Sequence, residues 1–381
     1  MAASLVTGLL SATTVSALPE GGVVVSGAGT VSQQSPANMV VRQGSDKLIL
    51  NWQGFSIGQK EGVRFEQPGV SSVALNRVVG QGPSEIFGLL TANGRVFLTN
   101  PNGVLFGPSS HVEVGSLLAT TLGIQDSDFL AGSYKFTQSL VHPLASVVNQ
   151  GEIVAAPGGF VSFVGPDVMN RGTITARLGT IALGAAEGAI LDLRGDGLIN
   201  LVLTDPVRSG LTGGVTNQGT LKADGGYVTL SAKVASDLLH SVVNNEGVIE
   251  AKSLVSHGGV VRLTGEQDGI VMNAGMIDVS AAQAGAQPGA VTLAGNLVGN
   301  AGTIRALGLE ETPGGHVEVT STGKTVLFSN SLIDVSGVGN STAGSVRVWS
   351  DKDTVFAPNS SLIARGGEQG GEGGFIEVSS G

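Results

Sequence analysis

Two short phrases recur along the second half of the chain, and they limit its possible folds more than any other feature. The first is Asn-x-Gly-x-(Ile/Leu)-x-(Ala/Val). It reads NQGEIVA from Asn149, NRGTITA from Asn170, NQGTLKA from Asn217, NEGVIEA from Asn245, NAGMIDV from Asn273 and NAGTIRA from Asn300. Weaker echoes are SNSLIDV from Ser329 and NSSLIAR from Asn359. The second is Gly-x-(Val/Ile)-x-(Leu/Val/Phe), with copies beginning at residues 159, 179, 226, 259, 289, 315, 344 and 374. Their central residues are spaced by 20, 47, 33, 30, 26, 29 and 30 positions. The 47 reads as two coils, with AILDLRGDGLINLVL (189–203) supplying the missing one.

Each phrase has the period-two pattern of a strand of about five residues with one apolar face. One coil cannot bury that face alone. Stacked coils can, by pairing equivalent strands in parallel about 4.8 Å apart. Each inward Ile, Leu or Val then contributes roughly 1.5–3 kcal/mol against an ordering cost of ~1–2 kcal/mol per residue, so stability builds only over many coils. The pattern predicts an all-β chain folded as a parallel β-helix, right-handed like other crossovers between parallel strands. On this alignment Val228, Val261, Val291, Val317 and Val346 are successive steps of one stack. The residues between the apolar positions form outward columns. Glu318, Arg347 and Glu377 alternate in sign, as do Asp278, Arg305 and Asp334, while Glu250 beside Asp278 is a like-charge step.

The repeat glycines suit corners where φ is positive. The repeat asparagines, Asn149, Asn170, Asn217, Asn245, Asn273 and Asn300, have two structural readings. Either they tolerate the left-handed conformation, or their amides stack from coil to coil as a ladder.

Residues 18 to about 145 lack the repeat but are rich in strand and turn signals. Asn93-Gly94 reads as a two-residue hairpin turn between Ile86–Leu90 and Val96–Leu98. In VFLTNPNGVLFG, the knot Asn100-Pro101-Asn102-Gly103 reads as a tight turn. Proline fixes φ at the second position, Asn100 can cap through its side chain, and glycine suits the last place.

The combination of ALPEGG, NWQGFSIG, VALNRVVG, ANGRVFLTNPNGVLFG and LLATTLGIQDSDFLAG resembles the N-terminal secretion domain of two-partner secretion exoproteins, the family of filamentous haemagglutinin and the high-molecular-weight adhesins. A second motif of some members, Asn-Pro-Asn-Leu, is absent. The resemblance implies a β-helix with an N-terminal cap and extra-helical β-hairpin strands. It divides the chain into a secretion domain at 18–265 and continuing repeats of an adhesin shaft at 266–381. It also implies a partner, an outer-membrane β-barrel transporter whose POTRA domains receive the chain in the periplasm, and folding at the cell surface of a Gram-negative bacterium. Host or matrix glycans are further candidate partners, and a monomer is expected. The Asn100–Gly103 turn then has two candidate roles, locking a coil near the cap or contacting the transporter.

Composition agrees with export. The chain has no cysteine, and disulfides formed in the periplasm would lock a chain that must stay threadable. MAASLVTGLLSATTVSA (1–17) reads as the remnant of a signal peptide, with the true start expected upstream because no basic segment precedes it. GFIEVSSG at the other end carries no cap, so a longer shaft is expected. A net charge of −10 without a basic stripe argues against nucleic-acid partners.

Many parallel β-helices are polysaccharide lyases or hydrolases, which makes a carbohydrate-active enzyme the alternative. Such sites need clustered carboxylates with a basic residue on the same face. Here the five His are scattered, and Asp126-Ser127-Asp128 reads as a solvated turn. Arg194-Gly195-Asp196, between two strand-like runs, reads as a β-turn. No catalytic residue, metal site or cofactor is expected.

Overall fold

A computed structural model describes residues 18–139, 144–193, 199–207, 214–235, 241–266 and 269–381. The signal-like segment and Arg194-Gly195-Asp196 lie outside these residues. The described chain winds as a parallel β-helix with three strands per coil. Its three faces are called here sheets 1, 2 and 3. A coil of 20 residues gives the unit: Phe160–Gly165 in sheet 1, Asp167–Asn170 in sheet 2, Thr173–Thr175 in sheet 3, then Thr180–Ala185 back in sheet 1. Each strand pairs in parallel with its equivalents one coil away, as Phe160–Gly165 does with Thr180–Ala185.

The stack of inward side chains is continuous. Val228 pairs with Val261, Val261 with Val291, Val291 with Val317, and Val317 with Val346. All five are fully buried within one core that runs the length of the helix. The core passes unbroken through residues 265–266, the expected boundary between secretion domain and shaft.

The repeat glycines have a different cause from the one expected. None of Gly151, Gly172, Gly219, Gly247, Gly275 and Gly302 has a left-handed φ. Instead the coils approach so closely that a Cβ on Gly219 would fall on the carbonyl oxygen of Gly172, and one on Gly247 on that of Gly219. Any side chain there would push two coils apart.

The first coil is closed by antiparallel strands. Gly29–Ser35 folds back on Asn38–Gln43, and Val23–Ser26 pairs with Lys47–Trp52. These strands cap the edge that an open β-helix would present. Beneath them, Trp52 packs edge-on against Phe55 at 5.4 Å and donates its Nε1–H to Asn76 Oδ1 at 3.0 Å.

Three further expectations are corrected. First, the 47-residue step is one coil, because Thr180–Ala185 pairs directly with Tyr227–Ala232. The intervening strands Gly188–Asp192 and Asn200–Leu203 leave the helix and form a separate antiparallel sheet with Tyr134–Thr137. Their apolar residues serve a second core, made with the outer face of sheet 1. Second, Asn93-Gly94 is no hairpin. It is a corner inside the continuous strand Leu89–Thr99, which pairs in parallel with Gly62–Glu66 before the corner and Val73–Val78 after it. Asn93 Oδ1 accepts from Gln67 N–H at 2.8 Å, so its side chain serves the neighbouring corner instead of closing a turn. Third, Asp126 and Asp128 lie in the first turn of a short helix, Asp126–Ala131, where carboxylates suit the dipole, and Asp126 pairs with Arg77 at 2.6 Å.

The extra-helical sheet and this helix form a jacket over sheet 1. Its core centres on Phe97, whose ring lies 5.2 Å from Tyr134, 6.3 Å from Phe129 and 6.5 Å from both Phe136 and Phe160. The outward column of sheet 1 records where the jacket stops. It runs Ile49, Leu75, Phe97, Leu118, then Ser162, Ala182, Thr229, Arg262, Thr292, Glu318, Arg347, Glu377. It is large and apolar as far as Leu118, small at the buried Ser162 and Ala182, and polar on the bare shaft from Thr229 onward.

On the shaft, Arg347 reaches Glu318 at 3.4 Å and Glu377 at 3.6 Å. The like-charge step between Glu250 and Asp278 is bridged by Lys252, 3.5 and 3.6 Å from the two carboxylates. Partial burial pushes the Lys252 ammonium down, but Asp278 and Glu250 outweigh this and raise it above the usual lysine range. Arg305 is in register with Asp278 and Asp334 but forms no ion pair with either; those carboxylates accept from the backbone of Ser280 and Ser336.

Two predictions follow from the jacket. Phe97→Ala should cost about 3–5 kcal/mol; hydrogen exchange should speed up in Tyr134–Thr137, Gly188–Asp192 and Asn200–Leu203 while coils beyond residue 226 keep their protection. Burial raises the Tyr134 phenol above its ordinary value, and Arg95 opposes this only in part. The neutral phenol is the form the fold favours, so its contribution is complete below the unfolded pKa of about 10 and falls as pH rises through the folded one. Tyr134→Phe should flatten the alkaline loss of stability in thermal melts taken between about pH 9 and 12.

Candidate functional site

The turn at Asn100–Gly103 carries the chain from sheet 1, after strand Leu89–Thr99, into sheet 2 at strand Val104–Phe106. Gly103 N–H donates to Asn100 C=O at 3.1 Å and Asn102 N–H to Asn100 Oδ1 at 2.9 Å, so the side chain of Asn100 caps its own turn. Gly103 has φ +115°, a conformation that favours glycine.

What surrounds the turn matters more. Asn100 is fully buried. Its Nδ2 donates to Gly82 C=O and Ser84 Oγ, both at 3.0 Å, in the corner of the preceding coil. Its backbone N–H donates to Thr120 C=O at 3.0 Å, on the following coil. Asn102 Nδ2 adds a bond to Gly80 C=O at 3.0 Å, and Ser84 N–H donates to Gly103 C=O at 3.0 Å. One four-residue turn therefore joins three successive coils. Pro101, partly exposed, lines a concavity of about 470 Å³ between the turn and the jacket, with Val78, Val79, Leu122, Ile124 and Gln138 among its walls. The Oε1 of Gln138 is buried there without a hydrogen-bond partner.

The six repeat asparagines lie at the end of sheet 2, far along the chain from this turn. All six are fully buried. Asn149 Nδ2 donates to Asn170 Oδ1, Asn170 to Asn217, Asn217 to Asn245, Asn245 to Asn273 and Asn273 to Asn300, at 2.7–2.8 Å throughout. None of the six is left-handed. That conformation appears instead in the weaker echoes, at Asn330 and Asn359, each with φ +64°. The slot itself continues beyond the ladder with apolar occupants, Phe106 on one side and Leu327 then Phe356 on the other.

Sequence reading passed over a second polar ladder near the cap. Gln67 Nε2 donates to Gln43 Oε1 at 3.0 Å and to the carbonyls of Ser72 and Arg95 at 3.1 and 3.2 Å, while Gly94 N–H donates to Gln67 Oε1 at 3.1 Å. No repeated phrase marks Gln43 and Gln67, so nothing but stacking could reveal them. The jacket-binding face did leave a signal. LILNW, VALNRV and SLLAT are apolar at consecutive positions, the mark of strands buried on both faces. Among the described residues no group of three or more His, Asp or Glu could hold a metal ion. These arrangements offer structure and surfaces; no nucleophile and base are brought together in them.

The model of one protein family, the TPS secretion domain, matches residues 16–279. This chain belongs to the two-partner secretion (TPS) family. Two curated relatives, both named heme/hemopexin-binding protein and both from Haemophilus influenzae, one of them from strain Rd, are 35% and 36% identical over 267 and 256 residues. Each alignment covers 65% of this chain, and the chain spans about 28% of the first relative's length and 27% of the second's. Among solved structures, the HMW1 secretion domain of Haemophilus influenzae superposes with a TM-score of 0.80 at 27% identity, covering 95% of both chains. The filamentous hemagglutinin secretion domain is more distant, at 13% identity and a TM-score of 0.43. The TPS domain directs an exoprotein to its outer-membrane transporter, and TPS exoproteins pass through the periplasm to the cell surface.

The ladder of this TPS domain yields a prediction. Asn217→Ala leaves Asn170 without its acceptor and Asn245 without its donor in a dry core, and should cost about 2–5 kcal/mol in denaturant unfolding. Asn300→Ala, at the ladder's end, orphans one group and should cost roughly half as much.

Proposed function

We propose that this chain is the leading, transporter-recognised part of a longer exoprotein, and that its first coils are the template on which the rest winds outside the cell. POTRA domains of the outer-membrane barrel receive it in the periplasm while it is still unfolded. Residues 18–265 suffice for recognition, and 266–381 begin the shaft. No catalysis is assigned to it. The chain acts as a monomer, and the exported protein meets host or matrix glycans.

The observation that carries this reading is the bonding of Asn100. A buried residue whose side chain bonds to the coil before and whose backbone N–H bonds to the coil after makes the turn a lock that closes only when three coils have formed, next to the cap. In that position the turn sets the register for everything wound later, and the neighbouring Pro101 concavity offers a surface for contact.

A second reading concerns the complete protein. The names of its relatives favour heme or hemopexin as ligand in place of a glycan. Capture of purified hemopexin by cells displaying the full-length exoprotein, and not by cells lacking it, would select that reading.

The secretion assay is direct. With the cognate transporter co-expressed, Asn100→Ala and Pro101→Ala should each lower the amount of protein in the medium several-fold. Melting of the purified variants separates the two contributions: Asn100→Ala should lose about 2–4 kcal/mol through its orphaned partners, Pro101→Ala less than 1 kcal/mol. Undiminished secretion of both variants would overturn the role assigned to the turn.

A further inference from the structure

Beyond the jacket, the outer face of sheet 1 is hollowed along one column. Ser231, Thr264, Ala294, Thr320 and Trp349 succeed one another in register, one per coil. Two concavities meet on this column and share Thr264 and Glu266 in their walls. The first, about 300 Å³, lies between sheet 1 and strand Asn200–Leu203 of the jacket; the second, about 880 Å³, continues along the shaft to Trp349 and Asp351. From Thr180 to Trp349 the trench crosses five coil-to-coil steps, or ~24 Å.

We propose that this trench is a binding site for an extended, uncharged oligosaccharide. Four observations converge on that chemistry. The jacketed end holds hydroxyls without partners: Thr180, only 4% exposed, and Ser231 both line the inner concavity, and neither Oγ makes a hydrogen bond. Buried hydroxyls of this kind call for a ligand group that can both donate and accept. The floor is made of small side chains, so it can pass a chain of sugar rings, with further hydroxyls at Thr264 and Thr320. The far end is closed by the indole of Trp349, held by its Nε1–H to Asp351 Oδ1 at 2.9 Å, an apolar surface with a polar rim of the kind that pyranose faces stack upon.

The fourth observation is charge. The walls carry Arg262 and Lys233 against Glu266 and Asp351, with Lys233 and Glu266 paired at 3.4 Å, so the trench is balanced and sits on a protein of net charge −10. A polyanion gains nothing there. An added peptide strand is also disfavoured, because the backbone of sheet 1 is already paired from coil to coil and offers no edge for it.

This inference rests on the reading that the exported chain faces glycans outside the cell, but its test uses purified protein and no transporter. Failure here leaves the secretion assay standing, and failure of secretion leaves this site standing. Calorimetric titration of the 381-residue chain would use neutral hexasaccharides of glucose, mannose, galactose and N-acetylglucosamine, with heparin and hyaluronate hexasaccharides as charged probes. At least one neutral probe should bind. Trp349→Ala should weaken it roughly tenfold or more, and Thr264→Arg, which fills the trench where the concavities meet, should abolish it, with melting temperatures unchanged in both. No neutral binding at ~10 mM, equal affinity in both variants, or preference for the charged probes would overturn the proposal.

Discussion

Everything in this molecule depends on strands that find their partners one coil away. Among sheet strands of the shaft the hydrogen bonds run between coils, so no coil can satisfy its own backbone or bury its own aliphatic residues. The glycine columns follow from the same constraint. Where two coils turn a corner together, the carbonyl of one occupies the space a Cβ of the next would need. The asparagine ladder follows as well. A polar side chain can sit in a dry core only because the identical residue above and below completes its bonding.

That dependence explains why so much of the architecture was legible from residues alone. The stack of Val228 to Val346 and the Glu318–Arg347–Glu377 column came out of spacing, because a solenoid writes the same physical requirement into the sequence once per coil. The failures have equally physical causes. AILDLRGDGLINLVL alternates like any strand, and period two says which face is apolar, not which surface that face will meet. Its pattern fits a coil, yet the segment belongs to the jacket. Asn93-Gly94 has hairpin composition, yet the chain only bends there, because flanking strands with partners in neighbouring coils outweigh a local turn preference.

The Asn100 turn was legible in its outline and hidden in its partners. Proline and glycine announce a turn, and a side-chain cap can be guessed from Asn. That the same amide also reaches Gly82 and Ser84, eighteen and sixteen residues back, depends on coil stacking that no local pattern encodes. The Gln43–Gln67 pair and the trench beside the jacket were invisible for the same reason, since each is made of residues that meet only across coils.

The jacket covers only the capped half of sheet 1 and leaves the later coils bare, which makes the molecule mechanically lopsided. Traction along the bare coils would meet a series of separate resistances as coils peel away singly. On reaching the region clamped by Phe97 and its ring of aromatics, the force would have to dislodge several windings at once. A solenoid built this way yields gradually along its bare coils while its jacketed coils hold fast.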